Sequence, residues 1–335
     1  MKNLLFGFCS TLLVLTLGAC GGGGSGGTTT AITPPVAAAV INSANAETVA
    51  GRSADVALQS GGLGGFIELT ALTATSPGGV SKLGALQTAS PTLKSAVSSG
   101  VISQVPFGPV TEPCAVSGSL TISGDVDISN PDTLTAGDFF NFDWNVCDDG
   151  QGQVIDGLLE YSITSFEGDT TTGQMLLGIT LTMTAFQVTE GANISSADGD
   201  ISLTLDSRTP PLYLATMSGS TFTVSNNGIT ETLSNFSTAV TENASVFPSS
   251  YTTDAMGTTT STMFDGSVTY DTEVPFESSG EAYPYTGELL VTGANNATLR
   301  LIALDEANVR IEADYDGDTA VDETIDTTWD ALTNQ

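Results

Sequence analysis

Leu177-Gly178-Ile179-Thr180-Leu181-Thr182-Met183 places an apolar side chain at every second position, with glycine or threonine between. That period belongs to an extended strand whose alternate side chains leave opposite faces, one buried and one wet. It is the habit of antiparallel sheets. Outward from it, the same period recurs at Ile201, Leu203 and Leu205, at Phe140, Phe142, Trp144 and Val146, and at Leu120, Ile122, Val126 and Ile128. Trp144 shares its parity with Val146, so it is predicted to face the core, not to offer a stacking platform for sugar.

Turn signals separate these runs. Asn226-Asn227-Gly228 suits a tight hairpin, and Asp198-Gly199 and Asp265-Gly266 are read as further turns. Gly118-Ser-Leu120, Gly157-Leu-Leu159, Gly266-Ser-Val268 and Gly287-Glu-Leu289 read as strand openings at irregular intervals, which disfavours a fixed-period propeller or solenoid. Towards the C-terminus a four-strand meander is predicted over 288–291, 298–304, 308–313 and 323–329, with turns at Gly293-Ala-Asn-Asn296 and Asp305-Glu-Ala-Asn308. The fold class is therefore mainly β: an antiparallel meander forming a curved sheet, an open barrel or a sandwich, placed in residues 114–335.

Residues 36–113 read differently, as a small helical or irregular region rich in Ala, Ser, Gly and Pro. Ala46, Val49, Ala50, Ala54, Ala57 and Leu58 recur at helical spacing, with Ser43 or Asn45 available as a cap. Val80 to Leu86 is a second candidate helix, and Pro91 with Leu93 and Val97 begins a third. Helices this poor in large side chains must lean on a larger partner.

The N-terminus carries Lys2 and then a largely apolar run from Leu4 to Leu17, shorter than the roughly 20 residues that span a bilayer. Residues 1–19 therefore read as a signal peptide. The run ends in Leu17-Gly18-Ala19-Cys20, which resembles the lipobox of bacterial lipoproteins. The resemblance implies cleavage before Cys20 and a diacylglycerol on its thiol, with a further acyl chain such as palmitate on its amine. Two or three chains at about 0.8 kcal/mol per buried methylene hold a protein on a membrane without other help. Gly21 to Gly27, broken only by Ser25, then reads as the tether, so residues 20–35 form lipidated cysteine and spacer. By resemblance to enterobacterial sorting rules, the absence of Asp after the cysteine implies the outer membrane, on either its periplasmic or its surface face. The alternating body resembles uncharacterised β-rich envelope lipoproteins of proteobacteria, a resemblance that implies no activity.

Of the four cysteines, Cys9 leaves with the leader and Cys20 takes lipid. Cys114 and Cys147 remain as a pair in an oxidising compartment and are expected to form a disulfide. Two separate thiols are the alternative.

With 38 acidic against 7 basic residues the net charge is −31. Nucleic acid is excluded as a partner, because neutralising phosphates needs clustered Lys and Arg. The chain has no histidine. That removes Ser-His-Asp and Cys-His catalysis and histidine-ligated zinc or haem as usually built. No GxxxxGK[ST] loop is present either.

The most informative acidic run is Asp314-Tyr-Asp316-Gly-Asp318-Thr-Ala-Val-Asp322, with carboxylates around a glycine that permits a sharp turn. Ca²⁺ wants six to eight oxygens from such a loop. The run is similar to the aspartate-rich calcium loops of EF-hand-like and thrombospondin-type repeats, with Asp314, Asp316, Asp318 and Asp322 as the implied ligands. It departs from the EF-hand in having glycine at the fourth position, and Ile325 stands where the closing glutamate would be, with Glu323 nearby. A solvated acidic hairpin is the competing reading. Asp143, Asp148, Asp149 and Asp156 around Cys147 suggest paired carboxylates for glycoside hydrolysis, against the plainer reading of a polar strand and turn. Tyr283, Tyr285 and Trp329 are read as either core or ligand platform, and the Asn-x-Ser/Thr triplets at Asn235 and Asn243 as chance.

The function expected from the sequence is thus that of an outer-membrane lipoprotein, not an enzyme, with a structural, adhesive or ligand-binding role and an envelope protein or polysaccharide as partner. The alternatives are a carboxylate-dependent hydrolase of envelope polysaccharide and a carrier of lipid or another apolar ligand.

Overall fold

The computed structural model describes residues 36–58, 107–125, 135–148, 150, 152–169, 173–279 and 283–333. Fourteen strands form one sheet in which every strand pairs with its neighbour in sequence: β1 Phe107–Pro113, β2 Ser117–Asp125, β3 Phe139–Asp148, β4 Gln153–Asp169, β5 Gln174–Glu190, β6 Asn193–Thr209, β7 Leu212–Asn226, β8 Ile229–Asn243, β9 Ser250–Ser261, β10 Phe264–Ser279, β11 Thr286–Thr292, β12 Thr298–Ala303, β13 Asn308–Asp314 and β14 Glu323–Thr328. All strand pairings are antiparallel, and the sheet is a meander that does not close into a barrel. Helix α1 is Ala46–Leu58 and helix α2 is Trp329–Thr333.

The alternation predicted from Leu177 to Met183 is borne out. Leu177, Ile179, Leu181 and Met183 are buried on β5, opposite buried Ile201 and Leu203 of β6. Asn227-Gly228 forms the two-residue turn between β7 and β8, both residues at positive φ (50° and 88°), as the tight primed turn demands. The C-terminal strands fall where predicted, but they continue the main sheet: Tyr270 of β10 pairs with Val291 of β11. Val126 and Ile128, the candidate helices at 80–86 and from Pro91, and residues 1–35 lie outside the described residues.

The sheet begins earlier than Cys114. β1 reads Phe-Gly-Pro-Val-Thr-Glu-Pro, without alternation and with two prolines, which an end strand tolerates because it needs a ladder on one side only.

Two of the expected Asp-Gly turns prove to be bulges inside or beside strands. Asp198-Gly199 sits within β6, where Asp198 Oδ2 accepts the N–H of Ala185 on β5 at 3.0 Å. Asp156-Gly157 does the same one pair earlier: Asp156 Oδ1 accepts the N–H of Val146 on β3 at 3.0 Å. Val146 and Ala185 are each the left-handed residue of a bulge, with φ 46° and 48°. The glycine after each aspartate, at φ 100° and 120°, lets the carbonyl of the next strand approach where a side chain would stand. Gly157 and Gly199 thus relay one bulge to the next across the sheet, and each bulge adds twist and bends the strand. The predicted Gly-x-apolar strand openings are these and related positive-φ sites, Gly157 lying well inside β4. Asp265-Gly266 likewise follows the Thr262-Met263 turn as a bulge at the start of β10.

The bulge at Val146 also breaks the parity argument for β3. Phe140 and Phe142 are buried, but Val146 points out and Cys147 takes the inward place. Trp144 is half-buried against the core, stacked on Phe142 at 5.7 Å and edge-on to Phe186 at 5.6 Å.

Two apolar clusters result. One is built on β2 to β8; the other joins α1, α2 and β9 to β14, with Val56 of α1 packed against both. The helix is small-residued because it is hemmed in: a Cβ on Gly51 would meet the carbonyl oxygen of Leu332 at 2.3 Å. Asn45 precedes α1, and its carboxamide ties Asn42 N–H and the Val40 carbonyl together at 2.9 Å each. No helix among the described residues is long and apolar enough to cross a membrane.

Candidate functional site

The run from Asp314 to Asp322 is the connection between β13 and β14, at the end of the sheet shared with the β7–β8 and β9–β10 turns. Asp314 is the last residue of β13 and is buried. Its Oδ1 accepts Gly317 N–H at 2.7 Å and its Oδ2 accepts Thr319 N–H at 2.8 Å. Burial works to raise its pKa, yet the backbone donors of Thr319, Gly317, Asp318 and Asp316 outweigh it and hold the carboxyl below the usual aspartate range. Gly317 is required twice over: its φ is 78°, and a Cβ there would meet the Asn295 carbonyl oxygen at 2.4 Å, where the turn packs on the 3₁₀ turn Ala294–Asn296.

Asp322 closes the loop, its Oδ2 accepting Tyr315 N–H at 2.7 Å. Tyr315 in turn donates its hydroxyl to Glu323 at 2.6 Å. Burial, that hydrogen bond and the charges of Glu323 and Asp322 all push the phenol above its ordinary value.

One carboxylate oxygen from each of Asp314, Asp316 and Asp322 lies within 4.8 Å of the others. Of the four aspartates singled out by spacing, Asp318 stands outside this group: it accepts Ala320 N–H at 2.8 Å within its own turn. Three hard oxygen ligands this close together suit Ca²⁺ chemically. Their negative charges repel each other when no cation or solvent screens them.

The disulfide expected from cysteine count is present. Cys114, just after β1, bonds Cys147 of β3 with a Cα–Cα distance of 5.5 Å. Around it, the carboxylates proposed as a hydrolytic pair have other tasks: Asp156 caps the Val146 bulge, and Asp148 accepts Gly150 N–H at 2.9 Å in the turn after β3. Asp143 is exposed on β3. Asp149 lies outside the described residues.

The aromatic candidates divide. Trp329 is wholly buried, stacks on Tyr283 at 5.9 Å, meets Phe276 edge-on at 6.2 Å and donates its indole N–H to the Pro284 carbonyl at 3.2 Å. It is core. Tyr285 is at the surface, its hydroxyl 3.3 Å from Glu277. Asn235 is the left-handed residue of a bulge in β8, and Asn243 caps a turn by accepting from Ser245 N–H and Oγ.

Two features escaped the sequence reading. Arg52 of α1 pairs with Glu231 of β8 at 2.6 Å, a contact 179 residues apart that no local pattern announces. Phe247, between β8 and β9, is fully exposed; the available signal was the stretch 243–253, free of charge in a chain rich in it. In comparison with known proteins, the chain matches no family model, no curated protein and no solved structure.

Proposed function

We propose that this chain is an acyl-anchored envelope protein: Cys20 carries the lipid, and the fourteen-stranded body acts outside the cytoplasm, at the outer membrane, as a non-enzymatic structural, adhesive or ligand-binding module. The observation that carries the reading is the Cys114–Cys147 bond. Disulfides persist in oxidising compartments, and this one uses both cysteines of the body, so that once the leader is gone Cys20 alone keeps a free thiol for lipid. Support also comes from the architecture. A meander twisted by relayed bulges, with its conspicuous carboxylates employed in caps and turns, suits a scaffold that holds a surface in place.

The test is the intact mass and N-terminal peptide of the full chain purified from bacterial envelopes. A first residue of Cys20 bearing diacylglycerol is expected, with accumulation of the uncleaved precursor on Cys20→Ala. A mature chain starting elsewhere, or an unmodified Cys20, overturns the reading. For the non-enzymatic part, a panel of envelope glycans is incubated with the protein and with Asp143→Asn and Asp156→Asn. Turnover by the parent that either substitution removes would make it a hydrolase.

Ca²⁺ at Asp314, Asp316 and Asp322 is part of the same proposal, as a brace for the β13–β14 connection.

A further inference from the structure

We infer that the connected loop ends at residues 209–214 and 244–249 form a tip that inserts into the interface of a zwitterionic phospholipid bilayer, an inference that rests on the lipid-anchored reading for the nearness of a membrane.

The tip is built by two adjacent turns. β6 and β7 join through Pro210-Pro211, β8 and β9 through residues 244–249, and the two are tied by Ala244 N–H donating to the Pro211 carbonyl at 2.9 Å. Leu212 pairs with Asn243, and Asn243 pairs with Ser250, so the loops extend side by side. Leu212, Tyr213 and Leu214 are consecutive on one strand and so face alternate sides. All three are exposed, at 46%, 37% and 40%, which means that the core covers neither face here. Beyond them Val246 is half exposed and Phe247 is completely so.

A single exposed apolar residue needs no explanation. Five on two hydrogen-bonded loops do, and the charge pattern around them sharpens the point. Although the chain has 38 acidic residues, none falls between Thr209 and Thr230 or between Asn243 and Thr253, nor does any basic one. Charge is absent where a bilayer would penalise it. Behind the apex, Tyr251 keeps its hydroxyl on Glu242 at 3.3 Å while Tyr213 flanks it, the placement that suits a ring with an apolar body and a wet end at an interface.

The occupant follows from size and charge. A specific protein interface takes about 20–30 residues a side. Five apolar side chains at the end of two loops fall well short, but they suffice as a wedge in a fluid phase that needs no matching shape. Glu242 stands beside the tip, and the neighbouring cation, Arg208, is already paired with Asp206 and Glu167, so with a net charge of −31 nothing here draws an anionic surface, which leaves neutral headgroups.

The test uses the full chain with Phe247→Trp, reconstituted in phosphatidylcholine vesicles that carry brominated acyl chains, with the parent chain giving the background from Trp144 and Trp329. The introduced indole is expected to emit at shorter wavelength and to lose about half its emission to the bromines; adding Val246→Asp, on the same exposed loop, abolishes both effects. An introduced indole that stays open to aqueous iodide in vesicles overturns the inference. So does a blue shift already present without vesicles together with a doubled mass in light scattering, which would mean that the tip meets a second copy. Acylation of Cys20 is read separately by mass. Quenching in an unacylated chain keeps the tip and sinks the anchor, and an acylated chain without quenching does the reverse.

Discussion

Arg52 of α1 donates through Nε to Oε1 of Glu231 on β8 at 2.6 Å, and its Nη1 lies 3.2 Å from Asp55 one helical turn on. Both partners of the first contact are mostly buried, with side chains 16% and 12% exposed. Burial works against the charge, but the hydrogen bond to Glu231 and the fields of Glu231 and Asp55 outweigh it, so the guanidinium pKa is raised. The cluster bolts the helix to the sheet near Val56, where the two apolar clusters meet.

Removing the cation leaves two desolvated carboxylates facing each other. Arg52→Met is expected to destabilise the body by about 3–5 kcal/mol, the cost of breaking a buried pair from one side. The triple change Arg52→Met, Asp55→Leu, Glu231→Leu recovers most of that loss, since an apolar replacement of a whole buried cluster is often neutral. Urea midpoints of the three proteins decide. No loss in Arg52→Met would show that α1 is held by packing alone, and an equal loss in the triple variant would make the charged cluster a net stabiliser.

The Cys114–Cys147 bond closes a loop with a sequence separation of 33. On the loop-entropy account it contributes about 4 kcal/mol by restricting the unfolded chain. Cys114→Ala with Cys147→Ala should therefore lower the urea midpoint strongly, and reductant should bring the parent down to the variant while leaving the variant unmoved. A parent insensitive to reductant, with two alkylatable thiols in the native state, would contradict the pairing.

Gly157 tests the bulge relay. Its φ of 100° is strained for any side chain, and a Cβ would stand 2.3 Å from the Ala185 carbonyl oxygen. Gly157→Ala is expected to cost about 3 kcal/mol or more, strain and displaced backbone together. Gly228→Ala, at a positive-φ turn with open space around it, should cost about 1 kcal/mol. Thermal unfolding of both separates the relay from the general penalty; equal shifts would mean that β5 yields to the new methyl group.

The period-2 runs at Leu177 to Met183 and from Glu288 onward were legible because one face of each strand is buried and the other is not. The helical spacing from Ala46 to Leu58 was legible for the same reason with a different period. What escaped were the places where the period breaks. Asp-Gly supports left-handed backbone in a hairpin turn and in a bulge alike, so Asp198-Gly199 read as a turn although its partner, Ala185, lies on the preceding strand. Whether the meander closes depends on the curvature that such bulges set, which no alternation encodes. In the acidic run, spacing found Asp314, Asp316 and Asp322, but it could not separate Asp318, which the chain folds back onto Ala320.

Asp314 offers the last prediction, because its two oxygens organise the turn that would take the ion. Its carboxyl is held below the usual range, so the stability it contributes is fully present above the ordinary aspartate value of about 3.9 and is lost as pH falls through the lower folded-state value. The Tm gap between the parent and Asp314→Asn should hence be constant at neutral pH and close only in acid. Calcium adds a second, separable term. With a dissociation constant of about 10⁻⁴ M, typical of extracellular sites, 10 mM Ca²⁺ should stabilise the parent by about 2.7 kcal/mol relative to chelator. Asp314→Asn and Asp322→Asn should abolish that increment, while Asp318→Asn, outside the converging group, should keep it. A Tm that does not move with Ca²⁺ leaves the turn as a self-capped acidic loop, and the acid-side closure of the gap would then be its whole contribution.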